Sequence, residues 1–180
     1  MEAFRLEFKA SEPVRLILKN TYPLFPVPFH VPNVEYLHAT YSKDQMRELL
    51  QRADCFVSPT RGEGFGLLAF ESMATGLPTI VTNWSGPMDY SDPSDTLLLE
   101  YTMQRSKDFD AIYKDSFEPG EYSGRLAEPS LENLRSAMRW CFDHREQAKA
   151  MGQAAGERVK KYWTWDHRVR GLVALVDRNA

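Results

Sequence analysis

Apolar positions along the chain switch between two rhythms. Val14-Arg-Leu-Ile-Leu-Lys19 and Val34–His38 have the length and residue types of strands, Cys55-Phe-Val-Ser58 is a continuous apolar run stopped by Pro59, and Thr79–Thr82 is a fourth strand candidate. Between them lie helical stretches. Ser42 or Asp44 can cap a helix that carries Met46, Leu49 and Leu50 on one face, and Phe65–Thr75 is a second helix, closed by Gly76 and Pro78. The β-α-β alternation predicts an α/β fold with a parallel sheet and helices on both faces. The first ten residues are ambiguous: Phe4-Arg-Leu-Glu-Phe-Lys9 alternates like a strand, but its residue types favour a helix, which we take as the expectation. Pro23, Pro26, Pro28 and Pro32 make the next segment a stiff loop. After Gly86 the pattern loosens. Thr96–Glu100 is strand-like, about twenty polar residues read as a surface insertion near 101–121, and Gly124-Arg-Leu-Ala127 follows. The rest is helical: Leu131–Phe142, Gln147–Tyr162, and a last helix with Val169, Leu172, Val173 and Val176 at i, i+3, i+4 and i+7.

Composition narrows the class without naming it. The 180 residues are 43% hydrophobic and 26% charged, as for one ordinary globular domain. Lys and Arg total 22 against 25 Asp and Glu, a net charge of -3, with no basic run to suit nucleic acid. No apolar run approaches the ~18 residues of a membrane helix, and Met1-Glu2 opens without a signal-peptide pattern, so a soluble cytoplasmic chain is expected. Cys55 and Cys141 sit in apolar company and are expected as buried free thiols rather than a metal clamp.

Candidate chemistry concentrates between Ser58 and Pro78. Gly62, Gly64 and Gly66 form a glycine-rich strand-to-helix turn, and the following helix would aim free N–H groups and a partial positive charge at it. An anion site and a merely tight turn both fit. Glu71 favours the former, because Leu67, Leu68, Phe70, Met73 and Ala74 leave helix 65–75 no broad polar face; a buried carboxylate there needs ligand hydroxyls or a structural arginine. Glu63 precedes the helix and Glu71 lies about two turns of 5.4 Å deeper, so the pair can grip different parts of one elongated ligand.

These residues carry a family resemblance. Glu63 and Glu71 form an E-x7-E pair, and with Gly64-Phe65-Gly66-Leu67, Ala74-x-Gly76-x-Pro78 and Val81-Thr82 they resemble the donor-site signature of retaining family 4 glycosyltransferases of the GT-B fold. Arg52–Pro59 resembles the helix and strand leading into that site, Asn83-Trp-Ser-Gly86 the loop facing it, and Trp163-Thr-Trp-Asp166 the start of the closing helix. The resemblance covers nearly the whole chain but only the C-terminal half of such an enzyme. It implies a Rossmann-like donor-binding domain over 1–162 and a crossing helix over 163–180. It also implies that the family's first strand, its diphosphate-binding Arg and Lys, and its acceptor-binding N-terminal domain are missing.

By position, the resemblance sets the Phe65, Gly66 and Leu67 N–H groups against sugar or distal phosphate, Glu63 at the sugar as the catalytic candidate, and Glu71 on the ribose diol. Arg61 and Lys19 are basic neighbours that match neither missing cation, and His38, after a strand, can approach a nucleobase. Asp89 stands near where the family has a Glu. The implied donor is a UDP- or GDP-sugar and the acceptor a glycan, lipid or protein hydroxyl; no cofactor or metal is expected. Asp108-Phe-Asp110 spells a metal-binding DxD but no strand leads to it, and the four histidines lack ligand spacing. Trp140, Trp163 and Trp165 read as packing, and the last helix as folding back or self-associating. A stand-alone nucleotide-sugar-binding module is the alternative function. A GT-B phosphorylase would need a cofactor lysine that nothing marks.

Overall fold

The computed structural model describes residues 1–21, 31–105 and 124–177. The architecture is α/β, as expected. Strands β3 (Phe56–Ser58), β4 (Thr79–Thr82) and β5 (Leu97–Leu99) make a parallel sheet in that order, with Ser58 opposite Val81 and Val81 opposite Leu98. Strands β1 (Leu16–Asn20) and β2 (Val34–His38) form a second parallel pair, Leu16 facing Val34 and Asn20 facing His38.

Alternation within the strands assigns each face of the central sheet its helices. Val57, Ile80, Leu97 and Leu99 pack with Phe4 of α1 (Glu2–Glu7) and Leu134, Met138 and Cys141 of α4 (Leu131–Asp143). Phe56, Val81 and Leu98 point the other way, into a cluster with Ala69 and Met73 of α3 (Leu67–Ala74) and Ala155 and Val159 of α5 (Arg145–Tyr162). Leu16 and Val34 join the first cluster, so β1 and β2 share that core. All four residues of β4 are buried, which explains its unbroken apolar run.

Local signals set the helix ends. Ser42 begins α2 (Lys43–Gln51) through a capping box: its hydroxyl accepts the Gln45 N–H at 3.2 Å, and the Gln45 side chain accepts the Ser42 N–H at 2.8 Å. Gly76, at φ +81°, closes α3; its N–H reaches Met73 O at 2.8 Å, and the Leu77 N–H reaches Ser72 O at 3.2 Å. The helix expectation for the first residues holds because Arg139 of α4 grips the segment, binding Glu7 at 2.8 Å and Glu12 at 2.7 Å with its guanidinium 4.4 Å from the Phe8 ring centre.

Two stretches differ from the sequence expectation. The expected insertion opens with a strand, β6 (Tyr101–Arg105), paired antiparallel with β7 (Arg125–Pro129); the rest of it, 106–121, lies outside the described residues, as do Pro23, Pro26 and Pro28. The last helix, α6 (Trp165–Asp177), does not fold back. Val169, Leu172, Val173 and Val176 are all exposed, because no described element covers them. No described helix is long and apolar enough to cross a membrane. Cys55 and Cys141 are free thiols with sulfurs 3.7 Å apart; Cys141 is buried and Cys55 partly so.

α5 packs unusually close to the end of α3. A Cβ on Gly152 would lie 2.5 Å from Gly76 O, and one on Gly156 would lie 2.9 Å from Met73 O. Further along α5, Arg158 forms a two-pronged ion pair with buried Asp95, at 2.6 and 2.7 Å, and also donates to the Tyr90 carbonyl. Asp95 in turn holds the Arg158 guanidinium more firmly protonated than usual. Removing one partner strands the other charge. Arg158→Met is therefore expected to lower unfolding free energy by about 3–5 kcal/mol in urea titration, with much of the loss recovered in Arg158→Met/Asp95→Leu.

Candidate donor-binding site at the glycine turn

Because β3 and β4 run parallel, the segments leaving their carboxyl ends emerge at one edge of the sheet, where open α/β sheets bind ligands. The first is the glycine turn before α3; the second is Asn83–Ser85 with the short 3-10 helix Gly86–Asp89. They touch backbone to backbone. A Cβ on Gly86 would fall 2.3 Å from Gly64 O and 2.7 Å from Phe65 Cα, so no other residue fits. The Gly86 N–H donates to Glu63 O at 3.1 Å, and the Glu63 N–H donates to Ser85 Oγ at 2.9 Å.

Gly66 caps α3 in the left-handed region, φ +77°, and a Cβ there would meet the Tyr90 hydroxyl at 2.9 Å. That hydroxyl donates to Gly66 O at 2.8 Å. Burial, and then the negative charge of Glu63, hold the Tyr90 phenol well above its ordinary pKa, so it remains a neutral donor. Around Tyr90, the rings of Phe65, Phe70 and Trp163 stand 5.0, 5.2 and 6.0 Å away. Trp163 thus packs as expected, with Arg168 of α6 3.7 Å from its ring centre, whereas Trp165, also expected to pack, is 87% exposed. On the other side of the turn, a Cβ at Gly62 or Gly64 would meet nothing within 4 Å. The turn is braced behind and open in front.

The carboxylates require a correction. Helix α3 starts at Leu67, two residues later than expected, and is not buried all round: Leu67 is 59% exposed, Leu68 49%, and Glu71 is exposed with them. The Ala69, Ser72 and Met73 side packs inward, against β4 and α5, with Phe70 and Ala74 partly buried beside it, whereas the Leu67, Leu68 and Glu71 side has no described element over it. Glu71 is therefore not a carboxylate forced into apolar surroundings. Nor does any described arginine pair with it, so the structural alternative is not realised among the described residues. Glu63 is partly buried.

The remaining candidates fall into place unevenly. Arg61 flanks the turn, but its guanidinium is 2.5 Å from Glu128 of β7, and the Ala127 N–H donates to the Arg61 carbonyl at 3.0 Å. Trp84 meets Tyr101 of β6 with tilted rings, centroids 5.4 Å apart, so the β6–β7 hairpin borders both loops. His38 ends β2, exposed, at the carboxyl end of that pair. Lys19 binds Thr21 Oγ1 at 2.9 Å and lies over Tyr41, and Asp89 is exposed. Asp108, Asp110 and His30 lie outside the described residues. His144 contacts Trp140 O, and His167 is exposed.

Sequence reasoning placed Ser85 on the facing loop without a role of its own, and missed Tyr90 and the hairpin. A tyrosine three residues after the Gly86-Pro87 step was the one visible signal. Two glycines of the same site should behave oppositely. Gly86→Ala forces backbones apart, with an expected cost of about 1–3 kcal/mol or more and lost ligand binding, whereas Gly62→Ala has room and should leave the melting midpoint within about 1 °C. Thermal melts of the two variants check this.

A family model described as "Family 4 Glycosyltransferase in conflict systems" matches residues 30–172. Mannosylfructose-phosphate synthase of Agrobacterium fabrum is 29% identical over 106 residues, which cover 54% of this chain and 21% of that enzyme. Sucrose-phosphate synthase of Thermosynechococcus elongatus superposes with a TM-score of 0.62 at 16% identity, over 99% of this chain and 49% of its own. HepE of Anabaena, solved in complex with UDP and glucose, superposes with a TM-score of 0.54 at 15% identity, over 81% of this chain and 32% of its own. These two solved structures share the fold, the α/β fold of GT-B glycosyltransferases. The chain spans half or less of the length of each of these proteins. With the signature turn in place and the match running over 30–172, the chain belongs to the family 4 glycosyltransferases of conflict systems.

Proposed function

We propose that the chain is the C-terminal, donor-binding part of a retaining glycosyltransferase. It holds a nucleoside diphosphate hexose at the glycine turn and, together with an acceptor-binding domain, transfers the sugar to a hydroxyl of a glycan, lipid or protein. The observation that carries this reading is the braced, forward-open turn, with Glu63 before the N-terminus of α3 and Glu71 on its exposed side. Family membership supports it, as does the relation to HepE, which binds UDP and glucose, and to the synthases of phosphorylated disaccharides.

In this reading the N–H groups at the start of α3 and the positive end of its dipole take the distal phosphate. Glu63 receives the hexose hydroxyls as the catalytic candidate, Glu71 the ribose diol, and His38 the side of the base. Arg61 contributes to the diphosphate only by leaving Glu128. The anomeric carbon breaks its bond to the diphosphate oxygen and bonds the acceptor oxygen on the same face, and the acceptor proton passes to the departing phosphate. Negative charge grows on that phosphate, where helix N–H groups stabilise it, so no metal or other cofactor is required. The exposed stripe of α6 serves an acceptor domain or, without one, a second copy. Cytoplasmic sugar transfer fits the composition, with the full-length enzyme peripheral to the membrane. A purely binding module would show the same affinities without turnover when an acceptor domain is supplied.

Calorimetric titration with UDP-glucose and UDP tests this reading. A hydrogen bond to a charged group is worth about 1.5–3 kcal/mol, so Glu71→Gln is expected to weaken both ligands by roughly 10- to 150-fold. Glu63→Gln should weaken UDP-glucose alone. Binding should persist with chelator and in Asp108→Ala/Asp110→Ala. Unchanged affinity in Glu71→Gln, or loss of binding on chelation, contradicts the assignment.

A further inference from the structure

Ser85 has a backbone that suits glycine. Its φ of 59° and ψ of -149° fall in a region that residues with a Cβ rarely occupy. Asn33 is the other described non-glycine residue at positive φ, but asparagine tolerates the left-handed region, and its amide is secured by the carbonyls of Ala10 and Glu12 at 3.2 Å each. Ser85 has no such tolerance. Its neighbours are also the ones that close on the turn: Ser85 Oγ accepts the Glu63 N–H at 2.9 Å, and the next residue, Gly86, donates to the Glu63 carbonyl at 3.1 Å. Glu63 itself stands between Gly62 and Gly64, two residues of wide conformational freedom with open space beside them. Held from one side only, this Gly-Glu-Gly segment could swing. Glycine at position 85 would relieve the backbone but supply no acceptor, and alanine would keep the strain and supply none.

We infer that Ser85 is a positioning residue whose strained backbone turns its hydroxyl onto the Glu63 N–H, fixing the Glu63 carboxylate against the hexose of the donor. This rests on the donor reading above, in which Glu63 meets the sugar. The hydroxyl and Gly86 act together as a two-point clasp on one residue's backbone, and the strain persists because the flanking contacts, Gly86 on Gly64 and Tyr90 on Gly66, leave the loop no room to relax.

Ser85→Ala and Ser85→Gly in the 180-residue chain separate positioning from mere stability. Both lack the hydroxyl and only alanine keeps the strain, so Ser85→Gly should melt roughly 2–8 °C above Ser85→Ala. Affinity for UDP-glucose should not follow that order. Both variants should bind it about three- to tenfold more weakly than the wild type, hold UDP within about twofold, and exchange the Glu63 amide hydrogen at least about fivefold faster by NMR. Wild-type UDP-glucose affinity in Ser85→Gly, or unchanged Glu63 exchange in both variants, overturns the inference while leaving the donor reading intact. A wild-type chain that binds neither UDP nor UDP-glucose defeats the donor reading and the sugar-facing role with it.

Discussion

Where Gly86 meets Gly64 and Phe65, two backbones approach until no side chain fits between them, and the rest of the site depends on that contact. Only glycine on the facing loop allows it. Behind the contact the molecule supplies successive braces. Gly152 and Gly156 seat α5 on the end of α3, Arg158 ties α5 to Asp95 and to the Tyr90 carbonyl, and Tyr90 carries the connection through its hydroxyl to Gly66, the cap of α3. Each link is short and polar or sterically tight, so the N-terminus of α3 is held in place from the side opposite its opening. In the proposed function, in which charge develops on a departing phosphate, donors that need not reorganise are an advantage.

Rigidity behind is matched by openness in front. Gly62 and Gly64 face free space, and Leu67, Leu68 and Glu71 form an exposed strip beside them. Apolar surface next to a carboxylate suits a ligand with a flat apolar part and a diol better than it suits a small ion. The β6–β7 hairpin borders this region through the Arg61–Glu128 ion pair and the Trp84–Tyr101 contact. The turn is therefore set among the central sheet, the facing loop and the hairpin, each holding a different residue of it.

Much of this was legible in the amino-acid order because local rules decided it. The apolar run Thr79–Thr82 is the fully buried middle strand, Ser42, one of the two cap candidates, caps α2, and Gly76 with Pro78 ends α3. Failures occurred where a neighbour distant in sequence decides. The residue types of α3 are apolar nearly all round, which says that burial is affordable but not which side another element covers; Leu67, Leu68 and Glu71 are left exposed. Tyr101–Arg105 does alternate, with Tyr101 and Met103 half-buried and Thr102 and Gln104 exposed, but two apolar residues are too short a pattern to stand out, and its pairing with Arg125–Pro129 is set from twenty or more positions away. The positive φ of Ser85 was invisible because serine does not advertise it; it is set by contacts with residues about twenty positions away.

The central claim is that the clasped glycine turn is where a nucleoside diphosphate sugar binds. Titrating UDP-glucose into isotope-labelled chain and mapping amide chemical-shift changes tests it most directly. The account predicts that the largest changes cluster at Gly62–Leu68, at Ser85–Gly86 and around Glu71, with little change at the Arg139 grip on α1 or along α4. Shifts centred on α6 or the α1–α4 face, or none at saturating ligand, would contradict it.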